Sequence, residues 1–322
     1  MNTYPAAINQ RLAEIIDTEL DTPISIASTA ISDALRAQYG DSVLGIVYYG
    51  SCFRTGTERD GILDIFVLVD QYSTVYSNRI LRAANQVLPP NVFYYEMEFE
   101  GSTLRTKYAV MTLKQFVHRT SNRCFHTFFW ARFAQPCAVT YVRDPSTRGE
   151  IVNALAGAIG TFVNSVLPLL PPRFDAQVLW TTGLSASYGT ELRPEAGGAA
   201  ASLVQKNLER YRTVTDRLLD DEQGFFKLFG KQEPSQYLAS ISVSRRCFGR
   251  LAWRLRRVQG KLINLLRIMK AAFTFDGGVD YVLWKIERHS GIKVEATPLL
   301  RRHPLLTCWP TVWRLYRAGA FK

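Results

Sequence analysis

Residues 44–70, LGIVYYGSCFRTGTERDGILDIFVLVD, place two apolar runs around one short polar stretch, and nothing else in the chain restricts its folding as much. The first run is rich in Val, Ile and Tyr and stops at Gly50-Ser51. A polar, glycine-bearing loop follows (Arg54 to Gly61), and the second run, Ile62 to Val69, carries a single charge, Asp64. Such runs, bounded by glycine and polar residues, predict two strands flanking a turn. An aspartate between Leu63 and Ile65 needs a cation or a metal ion beside it, because an unpaired charge in an apolar run is costly. Gly50 lets a backbone close on a phosphate and Ser51 offers it a hydroxyl, although Gly-Ser is also an ordinary turn. Asp70 lies about 20 Å further along an extended strand and is expected to cap a loop, not to share an ion with Asp64.

Composition narrows the function classes. The 322 residues are 47% apolar and 21% charged, enough for two globular domains. The net charge of +11 is uneven: residues 241–322 hold 17 Lys/Arg against 4 Asp/Glu, and the remainder 22 against 24. A basic C-terminal quarter suits nucleic acid or an anionic membrane. Five cysteines without CxxC spacing point to a reducing compartment, with neither a disulfide framework nor a zinc site. The N-terminus has neither the basic-then-apolar layout of a signal peptide nor the acid-poor composition of a transit peptide. The most apolar long segment, Ala154 to Pro172, is broken by Asn164 and three prolines, so no membrane span is expected. The expectation is a cytoplasmic protein, soluble or peripheral to the inner face of a membrane.

Along the chain, Ile8, Leu12, Ile15 and Ile16, then Ile26, Ile31 and Leu35, predict two short helices before the first strand. A helix is predicted over Arg79 to Val87, ended by Pro89-Pro90. In VFYYEMEFE, Glu96, Glu98 and Glu100 fall on one face of a strand. That face is either solvated or supplies a second metal-binding carboxylate. Strands are predicted at 106–113 and Pro136 to Arg143, and a helix at Phe125 to Phe133 carrying Arg132. Helices follow from Glu150 through residue 167, from Phe174 to Leu184, and from Ser202 to Leu219. Asp220 to Glu233 reads as a linker. Arg245 to Lys270 reads as a long basic amphipathic helix with apolar residues at 248, 251, 255, 258, 262, 265, 266 and 269.

Apolar-Gly-Ser, twelve intervening residues, then apolar-Asp resembles the entry signature of polymerase-β-like nucleotidyltransferases. Those enzymes carry a second acid two residues after the first, where this chain has Phe66. Further stretches resemble the mitochondrial-type phosphatidate cytidylyltransferase (translocator assembly and maintenance) family. They are Tyr49-Gly50-Ser51 with Leu63-Asp64-Ile65; Lys107-Tyr108-Ala109-Val110; Arg132 through Pro136, with Gln135 where the family has lysine; Gly183-Leu184-Ser185 through Arg193; and Lys270 through Gly277 with Tyr281 and Lys285. The family's Trp-His has no counterpart near Val75-Tyr76, and the tail from Ser290 is not family-like.

The resemblance implies transfer of CMP from CTP to phosphatidate, giving CDP-diacylglycerol and pyrophosphate with Mg2+. It implies an α+β chain: a nucleotidyltransferase-fold mixed sheet with flanking helices (1–149) and a mostly helical, winged-helix-like domain (150–240); charge and helical periodicity add a basic C-terminal helical region (241–322), expected to face a membrane. Asp64, Lys107 and Arg132 would be catalytic; Gly50, Ser51, Ser185 and Arg193 would bind nucleotide; Lys270 and Lys285 would bind the lipid phosphate. Asp64 with Glu96 and Glu98 would hold the metal. CTP, phosphatidate and an anionic membrane surface are the expected partners, and no stable nucleic-acid partner is. Trp309, Trp313, Tyr316 and Phe321 with Arg314, Arg317 and Lys322 suit a headgroup boundary, or else they pack the second domain. A nucleotidyltransferase acting on RNA or a small molecule, and a non-catalytic member of the fold, are the alternatives.

Overall fold

A computed structural model describes residues 6–59, 61–191, 198–219, 226–229, 236–239, 241–274 and 297–302, together with 307, 309, 310, 313, 314 and 317. Helices α1 (Ala6–Leu20) and α2 (Ile26–Tyr39) open the described chain, and their periodic residues Leu12, Ile16, Ile31 and Leu35 are buried. Ser25 caps α2 by accepting from the Ser28 N–H. Strand β1 (Val43–Tyr49) lies antiparallel to β2 (Leu63–Val69), with Val47 opposite Phe66 and Tyr49 opposite Asp64. The start of the expected loop between them is helical: α3 (Gly50–Thr55) ends at left-handed Gly56. Helices α4 (Tyr72–Val75) and α5 (Arg79–Val87) follow. Asn78 caps α5 through the Ile80 and Leu81 N–H groups, and the helix stops just before Pro89-Pro90.

Strand β3 (Asn91–Phe99) makes a hairpin with β4 (Ser102–Thr112) across Glu100-Gly101, both at positive φ. That turn starts β4 four residues earlier than its apolar run suggested. Next come α6 (Leu113–Thr120), α7 (Phe128–Phe133) and β5 (Cys137–Val142). Helix α8 (Pro145–Val166) begins at an Asp144 cap with proline in its first turn, a start signal ahead of Glu150. Strand β6 (Arg173–Phe174) leads to α9 (Ala176–Tyr188). The expected single helix to Leu219 is two, α10 (Ala199–Lys206) and α11 (Leu208–Leu219), broken at Asn207. The expected linker, 220–233, contains strand β7 (Phe226–Phe229), which pairs with β8 (Gln236–Ala239). Helix α12 (Val243–Thr274) and the short α13 (Pro298–Arg302) complete the described elements.

The chain is thus α+β. A mixed five-stranded sheet, order β3-β4-β2-β1-β5, is flanked by helices, and a three-stranded sheet has the order β6-β8-β7. The chain divides into two compact units. One, the sheet unit, joins Ser25–Met111 to Leu266–Lys322; the other, the helical unit, joins Met1–Ile24 to Thr112–Leu265.

Within the sheet unit, one face of the strands is closed by Tyr48, Ile65, Phe93, Thr106 and Tyr108, all buried. Asn85 ties α5 to this core, donating to the Val110 carbonyl at 2.9 Å and accepting from the Asn91 N–H at 2.7 Å. Within the helical unit, a stack of Phe162, Trp180 and Tyr211, with centroids 4.7 and 4.3 Å apart, fills the space between α8, α9 and α11. The Trp180 indole N–H is satisfied by Thr215 at 2.9 Å. Residues Pro145–Leu169 are long and apolar enough to cross a bilayer, but 78% of that window is buried inside the protein, as in a core helix.

Candidate functional site

The register of β1 and β2 sets Asp64 opposite Tyr49, at the end of the pair where the chain enters α3. Gly50 follows at φ +93, a conformation side-chain-bearing residues rarely adopt. A Cβ built there would lie 2.5 Å from Asp64 Oδ2, so only glycine lets the backbone approach this carboxylate. The other oxygen, Oδ1, is 3.2 Å from the ammonium of Lys107 on β4. Thr106, beside that lysine, donates to the Leu63 carbonyl at 3.0 Å and so fastens β4 next to β2. Asp64 and Lys107 keep 23 and 30% of their side-chain surface open to solvent. Ser51 is exposed in the first turn of α3. The structure therefore brings together Gly50, Ser51, Asp64 and Lys107.

Phe66, where a second acid would stand, is 1% exposed, with its ring 5.5 Å from that of Tyr49. Charge at such a position would have to be compensated. Glu96 and Glu98, the expected further metal ligands, engage other groups. They lie on the edge strand β3, with β4 between them and β2. Adjacent strands are about 4.8 Å apart, so two steps amount to roughly 10 Å. Glu96 accepts from the Tyr94 hydroxyl at 2.8 Å and faces Arg105 at 3.8 Å; Glu98 accepts from Thr103 at 2.6 Å. Among the described residues, no group of three or more His, Cys, Asp or Glu could hold a metal ion. Mg2+ commonly uses one or two carboxylates and takes its other ligands from substrate phosphates and water. The partly open Asp64 fits that minimal role; among the described residues no larger set of protein ligands joins it.

The remaining expected residues are placed as follows. Arg132 lies in the helical unit, stacked 3.9 Å over the Phe128 ring and 3.4 Å from Glu191, both partners of that ion pair being mostly buried. Ser185 is exposed on α9, in the same unit. Lys270, in the sheet unit, donates to the Leu88 carbonyl at 2.5 Å and the Pro90 carbonyl at 2.7 Å, while Arg267 donates to that of Pro89. Burial, with Arg267 nearby, pushes the Lys270 ammonium down to about 7. Arg193 and Lys285, with Tyr281, lie outside the described residues.

Glu58 gave no sequence signal, because one acid in a polar loop looks solvated. It is buried, accepting from Tyr48 at 3.0 Å and from the Ser25 hydroxyl that caps α2. Burial and Glu58 push the Tyr48 phenol far above its ordinary range. Cys52 is buried, its thiol donates to the Ile62 carbonyl at 3.1 Å, and burial, then Asp64, raises it above the ordinary thiol range. No known family model and no curated protein matches this chain.

Proposed function

We propose that this chain is a nucleotidyltransferase, and specifically a phosphatidate cytidylyltransferase that transfers CMP from CTP to phosphatidate with release of pyrophosphate. The observation that carries the reading is the close approach of Gly50 to Asp64, with Ser51 exposed beside them and Lys107 on the next strand. An α-phosphate under in-line attack requires charge neutralisation and positioning more than covalent chemistry. Asp64 and the substrate phosphates would hold Mg2+, which supplies Lewis-acid stabilisation of the charge that develops. Lys107 keeps Asp64 oriented and adds a positive charge at the same face. Ser51 offers a hydroxyl, and the lack of a Gly50 side chain leaves room for the triphosphate. The attacking phosphate monoester, with a second pKa of about 6, needs no strong general base. That fits a site whose second acid position is taken by the buried Phe66.

The small three-stranded antiparallel sheet in the mostly helical unit supports a winged-helix-like second domain. Trp309 and Trp313 are 70 and 63% exposed and Arg314 and Arg317 are exposed, which favours contact with an anionic bilayer surface over packing as core. Tyr316, Phe321 and Lys322 lie outside the described residues.

One observation favours a second reading. Asp64 already has a cationic partner, and among the described residues no group of three or more His, Cys, Asp or Glu could hold a metal ion, which suits a nucleotide-binding protein without turnover. Labelled CTP incubated with phosphatidate vesicles, with tRNA, and with buffer alone separates these readings. Pyrophosphate release that requires phosphatidate supports the cytidylyltransferase. Label in tRNA reassigns the acceptor, and CTP binding without turnover at any Mg2+ concentration supports the second reading.

A further inference from the structure

The exposed side of α12 carries an apolar seam with no described partner. Phe248, Leu251, Leu255, Val258, Leu262 and Leu265 are 72, 50, 55, 70, 56 and 49% exposed. They step by three, four, three, four and three residues, the a and d positions of a seven-residue repeat. On a straight helix that spacing drifts by about 20° per heptad, and it stays aligned with a partner only when two helices coil around one another. The opposite side of α12 is already engaged within the helical unit. Trp253 is buried there and donates to the Ser165 carbonyl at 2.8 Å. At Gly260 a Cβ would lie 2.5 Å from the Thr190 carbonyl oxygen, so the helix rests directly on that backbone. Its rotation is therefore set, and the seam faces outward.

Area and charge select the occupant. The six side chains expose on the order of 700 Å² per copy, close to the roughly 800 Å² that each partner contributes to a stable interface. That is also at or above the largest apolar patch of an ordinary monomer. Helix α12 contains no Asp or Glu, and the cations beside the seam, Arg254 and Lys261, both occupy g positions. The e positions Ala252 and Gln259 are uncharged. In a parallel, in-register pair each g residue meets an e residue of the other helix, so Arg254 meets a glutamine and no two cations are opposed. Antiparallel pairing would set g against g and oppose the cations. A bilayer accepts any sufficiently wide apolar face and imposes no seven-residue spacing. We infer that the seam pairs with a second copy of this chain, forming a parallel two-stranded coiled coil over residues 248–265.

Sedimentation velocity of the full chain in lipid-free buffer, over a concentration series, should show a dimer. The exposed-site double variant Leu255→Lys, Leu262→Lys should halve the sedimenting mass and leave circular dichroism unchanged. In a Cys247→Ser, Cys308→Ser background, Leu262→Cys should cross-link to itself through a short bis-maleimide, and Arg257→Cys should not. A monomer at every concentration, a dimer that survives the double lysine variant, or a dimer that fails to cross-link at 262 overturns the inference. Self-association that needs added phosphatidylglycerol vesicles also overturns it and assigns the seam to a bilayer.

Discussion

Asp64 on the inner strand β2 and Glu96 on the edge strand β3 present the same functional group on one sheet, yet their side chains are 23 and 54% exposed. The inner carboxylate is approached by a glycine backbone on one side and a lysine on the other. The edge carboxylate meets a tyrosine hydroxyl and a distant arginine, both within the hairpin that carries it. Position in the sheet, and not alternation along a strand, separates a partnered, partly desolvated carboxylate from one left at a solvated rim. An inner strand has neighbours on both sides that fix and partly desolvate a charge; an edge strand leaves it to water.

Breaking the inner side of this contrast should have the largest effect. Asp64→Asn is expected to lower phosphatidate-dependent pyrophosphate release by on the order of a hundredfold, with unchanged circular dichroism. Retention of more than about a tenth of the activity at saturating Mg2+ would place the metal-holding group elsewhere. Gly50→Ala is next. It adds a Cβ against Asp64 Oδ2 at a positive φ, with strain of about 1–3 kcal/mol, and should lower both the melting temperature and CTP affinity. An unchanged melting temperature would mean that the approach relaxes without cost.

Two cations sharpen the comparison. Lys107 faces a carboxylate on the open side of the sheet, whereas Lys270 is half-buried against carbonyls and is pushed down to about 7. Its ordinary value is about 10.4, so between these two values the unfolded chain binds a proton that the folded chain does not. Stability should therefore rise with pH from about 7 to 10 on this account, by at most a few kcal/mol. In denaturant titrations the stability of the wild type relative to Lys270→Met should shift in favour of the wild type over that range. A pH-independent difference would show that Lys270 stays charged in the fold. The smallest effect belongs to the rim: Glu96→Gln and Glu98→Gln should each change turnover less than about twofold, since neither reaches Asp64 across β4. A tenfold loss in either would show that β3 reaches the reacting phosphates after all.

Local signals carried much of the architecture. The paired runs around Gly50-Ser51 became β1 and β2, Arg79 to Val87 became α5 with its predicted ends, and two of the three alternating glutamates, Glu96 and Glu98, fell on β3 while Glu100 lies in the turn that follows. The misses have physical causes. Helix α3 hides in a polar stretch because six residues show no period. Strand β7 sits where acidic and glycine residues suggested a linker, and its pairing with β8 is a tertiary fact. Of the candidate site, Gly50 and Asp64 could be read from residue type and place. The Lys107 partnership could not, since it depends on β4 entering the sheet beside β2. The strand order likewise separates Glu96 and Glu98 from Asp64, and no spacing along the chain reports that order.

The buried Glu58 bears on how the segment after Ser51 moves. A polar, glycine-bearing loop would ordinarily fluctuate in nanoseconds, independently of its neighbours. Here the carboxylate at its middle is held by the Tyr48 hydroxyl and by the serine that caps α2. Releasing the loop would therefore uncap the helix and leave an unpaired charge among apolar side chains. Loop and helix end should open as one cooperative unit. In hydrogen exchange, amides in the first turn of α2 and those flanking Glu58 should then share one protection factor, and Glu58→Gln should lower both together.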